Sequence, residues 1–181
     1  MNKSQIRNKL IKIRKKKFDK DLQINFSEFI SFLKIDKLNL KSIGGYYPSN
    51  YEIDDLDILN LLEKKNLKIS LPIIKKNNQM NFYSWSRNDL LKINKFGIPE
   101  PLETEIIYPD ILLVPLVAYD SSLSRLGYGG GYYDRYIEKI EKIKKVTKIG
   151  LAFSFQKISS IPINQYDKKL DFIVTEKEIL Q

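Results

Sequence analysis

The sequence predicts an α/β layered fold: a parallel or mixed sheet covered by helices, in one domain spanning residues 1–181. Three observations predict it. Segments of strand type and helix type alternate along the whole chain, as in layered α/β proteins. The stretch DILLVPLVAYD, residues 110–120, is almost continuously apolar, the pattern of a strand buried on both faces. A length of 181 residues suits one well-packed core better than two. No internal repeat or low-complexity linker divides the chain.

The elements follow in order. From Lys3 to Phe18, the residues Ile6, Leu10, Ile11, Ile13 and Phe18 recur near helical spacing with Lys and Arg on the opposite side, an amphipathic helix. A second helix is expected near Asp21 to Leu33. KSIGGYYP reads as a short strand closed by a turn at Pro48, and Asp54 to Lys65 as an apolar-periodic helix with aspartates in its first turn. LKISLPII and MNFYSW have the β-branched and aromatic content of strands, while Gly97, Pro99 and Pro101 make KFGIPEP a loop. Beyond residues 110–120, Tyr132 to Lys145 is helical through Tyr133, Tyr136, Ile137, Ile140 and Ile143, and VTKIGLAF and DFIVTE are further strands.

Composition narrows the chemistry. With no cysteine and no histidine, thiol nucleophiles, disulfides, cysteine-histidine zinc sites and histidine-based triads are all excluded. Catalysis must fall to carboxylates, Lys, Arg, Tyr, backbone amides or a hard metal. Lys and Arg exceed Asp and Glu by 31 to 22, a formal charge of +9 that favours anionic partners such as nucleotides, nucleic acid or acidic metabolites. Lys, Ile and Asn are abundant throughout, so part of that excess is compositional. The charged first residues and the lack of any run near ~18 apolar residues give the expectation of a cytoplasmic protein with no membrane contact.

The densest local signal is RLGYGGGYYDRY, Arg125 to Tyr136, with four glycines, four tyrosines, two arginines and an aspartate. Between a buried strand and a helix, such a loop presents bare amides and the positive helix end to an anion. A tight turn needing positive φ would use the same glycines. The spacing is neither a Walker loop nor a dinucleotide fingerprint. Gly127 to Gly130 satisfies the G-x-x-G of an RNA clamp, which keeps open the alternative of a basic, non-catalytic RNA-binding protein. Arg125 and Arg135 can pair with phosphate oxygens, Tyr128, Tyr132 and Tyr133 offer stacking faces, and Asp134 is a hard oxygen ligand. Together they read as a nucleotide site.

LVPLVAYDSSLSRLGYGGGYYDRYI resembles the signature of the 5-formyltetrahydrofolate cyclo-ligase (methenyltetrahydrofolate synthetase) family, a buried strand followed by R-L-G-x-G-x-G-Y-Y-D. Lys3 with Arg7, YYPSNYEID with Pro48 and Glu52, FGIPEP at Phe96 to Pro101, GLAFSFQ, and the late IP…D…D fall in the family's order, so the resemblance covers nearly the whole chain. It implies a single three-layer α/β domain. It also implies conversion of 5-formyltetrahydrofolate, alone or polyglutamylated, to 5,10-methenyltetrahydrofolate by a monomer using ATP and Mg2+, with no nucleic acid partner.

The resemblance further implies that Lys3, Ser4, Gln5, Ile6 and Arg7, with Arg125, Leu126, Gly127, Tyr128, Gly129, Gly130, Gly131, Tyr132 and Tyr133, contact ATP. Asp134 and Asp167 would hold magnesium, and Tyr47 and Glu52 would meet the folate. Arg125, Tyr132 and Arg135 would carry catalysis. Four positions depart from the family's habit: Tyr166 stands where histidine often precedes the second metal aspartate, Tyr128 and Gly130 stand where some relatives have basic residues, and Ile73 follows the proline of LPII where some have arginine.

Overall fold

A computed structural model describes residues 1–19, 22–33 and 40–181. Helix α1 (Lys3–Lys17) precedes α2 (Phe26–Leu33), and β1 (Ser42–Gly44) leads through α3 (Leu56–Lys64) to β2 (Lys68–Ile74). Asp21, where the sequence suggests that the second helix begins, lies outside the described residues. Next come β3 (Met80–Ser84), the short strands β4 (Leu91–Ile93), β5 (Pro99–Pro101) and β6 (Ile106–Ile107), and β7 (Ile111–Pro115). A hairpin of β8 (Ala118–Tyr119) and β9 (Arg125–Leu126) precedes α4 (Tyr132–Glu141), and β10 (Thr147–Leu151), β11 (Phe172–Val174) and β12 (Ile179–Leu180) complete the chain.

The main sheet has eight strands in the order β12-β11-β10-β7-β1-β2-β3-β6. Strands β2, β1, β7, β10 and β11 run parallel, with Ile43 opposite both Ile69 and Ile111, and Gly150 opposite Val114. β3, β6 and β12 pair antiparallel toward the two edges.

β7 alternates its side chains between two cores. Ile111 and Leu113 join Phe29 and Leu33 of α2 and Ile58, Leu59 and Leu62 of α3 on one face. Leu112 and Val114 join Phe82 and Tyr136, Ile137 and Ile140 of α4 on the other. Both faces are covered, so the expected mixed sheet in three layers is what forms, and each fully buried aliphatic side chain contributes about 1.5–3 kcal/mol relative to exposure. A third cluster seats Ile6 and Leu10 of α1 against Val117, Ala118, Leu126 and Ile161.

Three local expectations are corrected. KFGIPEP is not all loop: β5 pairs with β4, placing Pro99 opposite Ile93 and Pro101 opposite Leu91. Asn94 donates to Ile98 O, so pairs alternate along this ladder and both prolines fall where no N–H is needed. The buried run of residues 110–120 breaks at Leu116, and the β8–β9 hairpin stands between the strand and the glycine loop. The helix after the glycines stops at Glu141, short of Lys145.

The end of β1 is the most constrained part of the sheet. A Cβ at Gly44 would lie 2.8 Å from the Phe82 ring, and one at Gly45 would lie 2.4 Å from Leu59 Cδ1 and 2.7 Å from Asp55 Oδ2. Asp55, at the start of α3, makes no capping bond with its side chain. Its Oδ2 turns inward instead and accepts the Tyr46 N–H at 3.1 Å, while Oδ1 has no hydrogen-bond partner. Burial pushes this carboxyl well above the usual carboxylate range, with the charges of Asp54 and Glu52 adding to it and the Tyr46 bond opposing.

Gly44→Ala is expected to destabilise the fold by about 1–3 kcal/mol, because fully buried Phe82 has nowhere to move; a urea midpoint equal to wild type would contradict this. The Asp55 carboxyl, raised on folding, favours the native state fully below the unfolded carboxylate value of about 4 and loses that contribution as pH rises through its folded value. Asp55→Asn can still accept the Tyr46 N–H and never ionises. Its stability should therefore fall less than wild type between acid and neutral pH, as read by thermal melts across that range.

Candidate active site

Chain direction builds the site. The α3 crossover carries the chain from β1 to β2, and the α4 crossover carries it from β7 to β10, in opposite directions across the sheet. The C-terminal ends of β1 and β7 thus border a crevice at a topological switch point, the usual binding position of open α/β sheets. Into it come the segment 45–55, the glycine loop and the face of α1 next to both.

α1 begins at a capping box in which Asn2 and Gln5 exchange bonds, so Gln5 is committed to the helix start and Ser4 is exposed. Lys3 and Arg7, one turn apart, both reach toward the motif. Lys3 Nζ lies 2.5 Å from Asp167 Oδ2, and Arg7 Nε donates to Gly127 O at 2.8 Å. Ile6 and Leu126 are core side chains of the third cluster, so their backbones alone could meet a ligand.

Two glycines of the loop have positive φ, Gly129 at 102° and Gly131 at 64°. Side chains rarely adopt these angles. The Arg7 guanidinium also lies over Gly129, 3.3 Å from where a Cβ would stand. Gly131 is the N-cap of α4 and has no side chain to cap it, which leaves the helix's positive end facing the loop.

Arg125, 7% exposed on β9, connects the loop to the late aspartates. Its Nη2 lies 2.9 Å from Asp134 Oδ1, and its Nη1 donates to Lys168 O. Asp134 Oδ1 also accepts the Lys168 N–H at 3.0 Å. Lys168 follows Asp167 directly, so the two predicted metal aspartates are brought to one place. Asp167 Oδ2 accepts from Lys3 and from the Asn164 N–H. In each carboxylate these bonds use one oxygen, leaving Asp134 Oδ2 and Asp167 Oδ1 for a hard cation. Among the described residues no cluster of three metal-ligating side chains occurs. Two carboxylates nevertheless fit magnesium, which keeps waters and takes substrate phosphates for its other positions.

The loop tyrosines divide between two sides. Tyr132 donates to Asn78 Oδ1 at 3.3 Å, and Arg135 donates to Asn78 O at 3.0 Å and to Gly130 O, so both face the β2–β3 turn. They are not beside Glu52. The Tyr128 hydroxyl interacts with Glu52, and the Tyr133 ring packs on the α4 core with its buried hydroxyl unpartnered; Glu52 is buried and takes the Ser49 N–H at 2.7 Å and the Ser49 hydroxyl at 3.1 Å on Oε2. Burial pushes the Glu52 carboxyl above its ordinary range, while the Ser49 bonds, the Tyr128 hydroxyl and the Arg14 charge pull it back. Burial likewise raises the Tyr128 and Tyr133 hydroxyls, with the Glu52 charge adding to it.

Glu52 also lines a cleft of about 470 Å³ bordered by Phe18, Pro48, Tyr51, Ile53 and Phe153. Phe18 stands 5.3 Å from Tyr51 and 6.5 Å from Phe153 between ring centroids, a partly apolar slot suited to a flat heterocycle. Tyr47, half-buried just before this segment, is not among the lining residues. Tyr166, directly before Asp167, is 69% exposed, and Ile73 is a buried core residue.

Sequence reading misses Arg14. It assigns the basic residues of α1 to the exposed side, yet Ile6, Leu10 and Arg14 are the buried residues of this helix. Their spacing of four was the available signal. Phe18 and Phe153, as lining of the Glu52 cleft, are also missed.

The chain as a whole is similar to known proteins. The 5-formyltetrahydrofolate cyclo-ligase of Haemophilus influenzae is 32% identical over 143 residues, covering 75% of this chain and 76% of that protein. A probable 5-formyltetrahydrofolate cyclo-ligase of Schizosaccharomyces pombe is 32% identical over 140 residues, covering 68% and 69%. The solved 5,10-methenyltetrahydrofolate synthetase of Aquifex aeolicus superposes with a TM-score of 0.76 at 31% identity, over 100% of this chain and 93% of that one. The Mycoplasma pneumoniae 5,10-methenyltetrahydrofolate synthetase shares the fold with a TM-score of 0.76 at 24% identity, over 98% and 100%. The family model for 5-formyltetrahydrofolate cyclo-ligases matches residues 1–176, and the chain belongs to that family.

Proposed function

We propose that this protein converts 5-formyltetrahydrofolate to 5,10-methenyltetrahydrofolate with ATP and Mg2+, releasing ADP and phosphate through a phosphorylated formyl intermediate. The observation that carries the proposal is the convergence of Lys3, Arg7, the uncapped glycine loop and the Arg125–Asp134 pair on the crevice that also holds Glu52. Family membership favours this ligase over the RNA-binding alternative. The reading places a monomer in the cytoplasm; among the described residues no helix is long and apolar enough to cross a membrane. The basic chain suits an anionic folate tail, alone or polyglutamylated.

The formyl carbon is a poor electrophile, because its nitrogen lone pair is delocalised into the carbonyl. Attack of the formyl oxygen on the γ-phosphorus of ATP expels ADP and turns that oxygen into part of a leaving group. The neighbouring amine then closes the five-membered ring at the formyl carbon and loses its proton. Departure of phosphate with the former formyl oxygen leaves the methenyl cation.

The chain's task is to position and to balance charge. The amides of Gly127 to Gly131 and the α4 end would cradle phosphate, with Arg7 and Lys3 beside them. Arg125 would balance the transferring phosphoryl group from its fixed position on β9. Tyr132 and Arg135, held at the β2–β3 turn, would support the loop's outer side and reach the nucleotide only by leaving Asn78. Magnesium held by Asp134 and Asp167 would neutralise the triphosphate. Glu52, beside the aromatic cleft, would orient the folate's ring donors, with Tyr47 at the edge.

Purified protein given magnesium-ATP and 5-formyltetrahydrofolate is expected to develop the near-ultraviolet absorbance of the methenyl product, and a folded sample without that signal would refute the proposal. Asp134→Asn is expected to lower turnover on the order of a hundred-fold or more while the circular dichroism spectrum persists. Unchanged turnover would remove Asp134 from the metal site.

A further inference from the structure

The Arg14 guanidinium is 1% exposed, yet no carboxylate forms an ion pair with it among the described residues. Nη1 donates to Leu116 O at 3.0 Å, just beyond β7, and Nη2 donates to the Tyr128 hydroxyl, while Nε has no hydrogen-bond partner. The guanidinium lies 5.6 Å from the centre of the Tyr128 ring. Tyr128 as a residue is 41% exposed, so the loop shows its ring to solvent and sends its hydroxyl inward. That hydroxyl faces Glu52 as well as Arg14.

An uncompensated buried cation is costly unless its geometry is used. Here Arg14 donates to the Tyr128 oxygen, which leaves the Tyr128 proton for a second acceptor, and Glu52 is the carboxylate that interacts with this hydroxyl, so the three side chains form a relay. Within the glycine loop, Tyr128 is the residue whose hydroxyl meets a cation from α1.

We propose that Arg14 is a positioning residue that holds the glycine loop through the Tyr128 hydroxyl and, through that hydroxyl, sets the orientation and charge of Glu52. The proposal rests on the reading of Glu52 as the folate-facing carboxylate. The groups that interact with Glu52 by hydrogen bond or charge are Arg14 from α1, Tyr46 after β1, Ser49 and Asp55 from its own segment, Tyr128 from the loop and Tyr133 from α4. Arg14 is the one cation in this set. Ligand that displaces Tyr128 would break the relay, so loop movement and the state of Glu52 are coupled.

The test uses the full chain with Tyr128→Phe, which keeps the ring and removes the relay, together with Arg14→Lys, which keeps charge without the fork. Two readouts are taken. Carboxyl carbon NMR of ligand-free protein follows Glu52, assigned by its loss in Glu52→Gln, and the pH profile of kcat/KM for 5-formyltetrahydrofolate follows turnover. In Tyr128→Phe the Glu52 titration and the acid limb of the profile are expected to move together to higher pH, because a donor to the ionised form is gone. kcat/KM is expected to fall by up to about a hundred-fold, the scale of an ångström's misplacement. Arg14→Lys should show a smaller shift in the same direction. An unmoved Glu52 titration in Tyr128→Phe overturns the proposal, as does an Arg14→Lys protein that only melts earlier with its profile unchanged. Absence of turnover in wild type would refute the proposed reaction instead, while the titration still decides the relay.

Discussion

Everything at the crevice depends on the chain leaving β1 toward one edge of the sheet and β7 toward the other. Parallel crossovers share one hand, so opposite directions force α3 and α4 onto opposite faces. Neither helix then covers the strand ends between them. The backbone after β1 and after β7 must find partners in loops and in α1, and it does: Asp55 takes the Tyr46 N–H, Gln156 donates to the carbonyls of Leu116 and Val117, and Arg14 donates to Leu116 O. The polar groups that a ligand could use are gathered by the same geometry that left the strand ends open.

Charge in the crevice is arranged in two zones. Around the glycine loop, cations and carboxylates are paired, as in Lys3 with Asp167 and Arg125 with Asp134, and of these four only Arg125 is buried. Around Glu52, carboxyls and phenols are buried deeper, and burial raises Glu52, Asp55, Tyr46 and Tyr133 together. Arg14 stands at the seam between them. The first zone suits an anionic, metal-carrying ligand that arrives from solvent, and the second suits a largely apolar ring with a few donors.

Parts of this were legible in the sequence for clear physical reasons. β7 has no polar position because both of its faces are buried, and α4 repeats Tyr136, Ile137 and Ile140 because one of its faces meets that sheet. The glycine loop is readable because positive φ and close approach leave few alternatives to glycine. What was hidden depends on partners distant in sequence. Pro99 and Pro101 look like breakers until a second strand shows which N–H groups the ladder uses. Arg14 looks solvated until β7 and Tyr128 arrive from more than a hundred residues away. Asp55 resembles a helix-start carboxylate, and only the tight fit of Gly45 beneath Leu59 shows why it turns inward. Tyr132 and Arg135 fall within the motif, yet their contacts go to Asn78, which pattern alone does not indicate.

The two ion pairs at the loop have a consequence for how ligands can enter. Lys3 and Arg125 already rest on the two aspartates that would hold a metal, so these four charges are paired before any ligand binds. A metal arriving alone would share both carboxylates with the two cations and add positive charge beside them. A triphosphate arriving alone would draw off those cations and strand two carboxylates. A metal and a polyphosphate entering as one complex would restore a partner of opposite charge to each of these four groups at once.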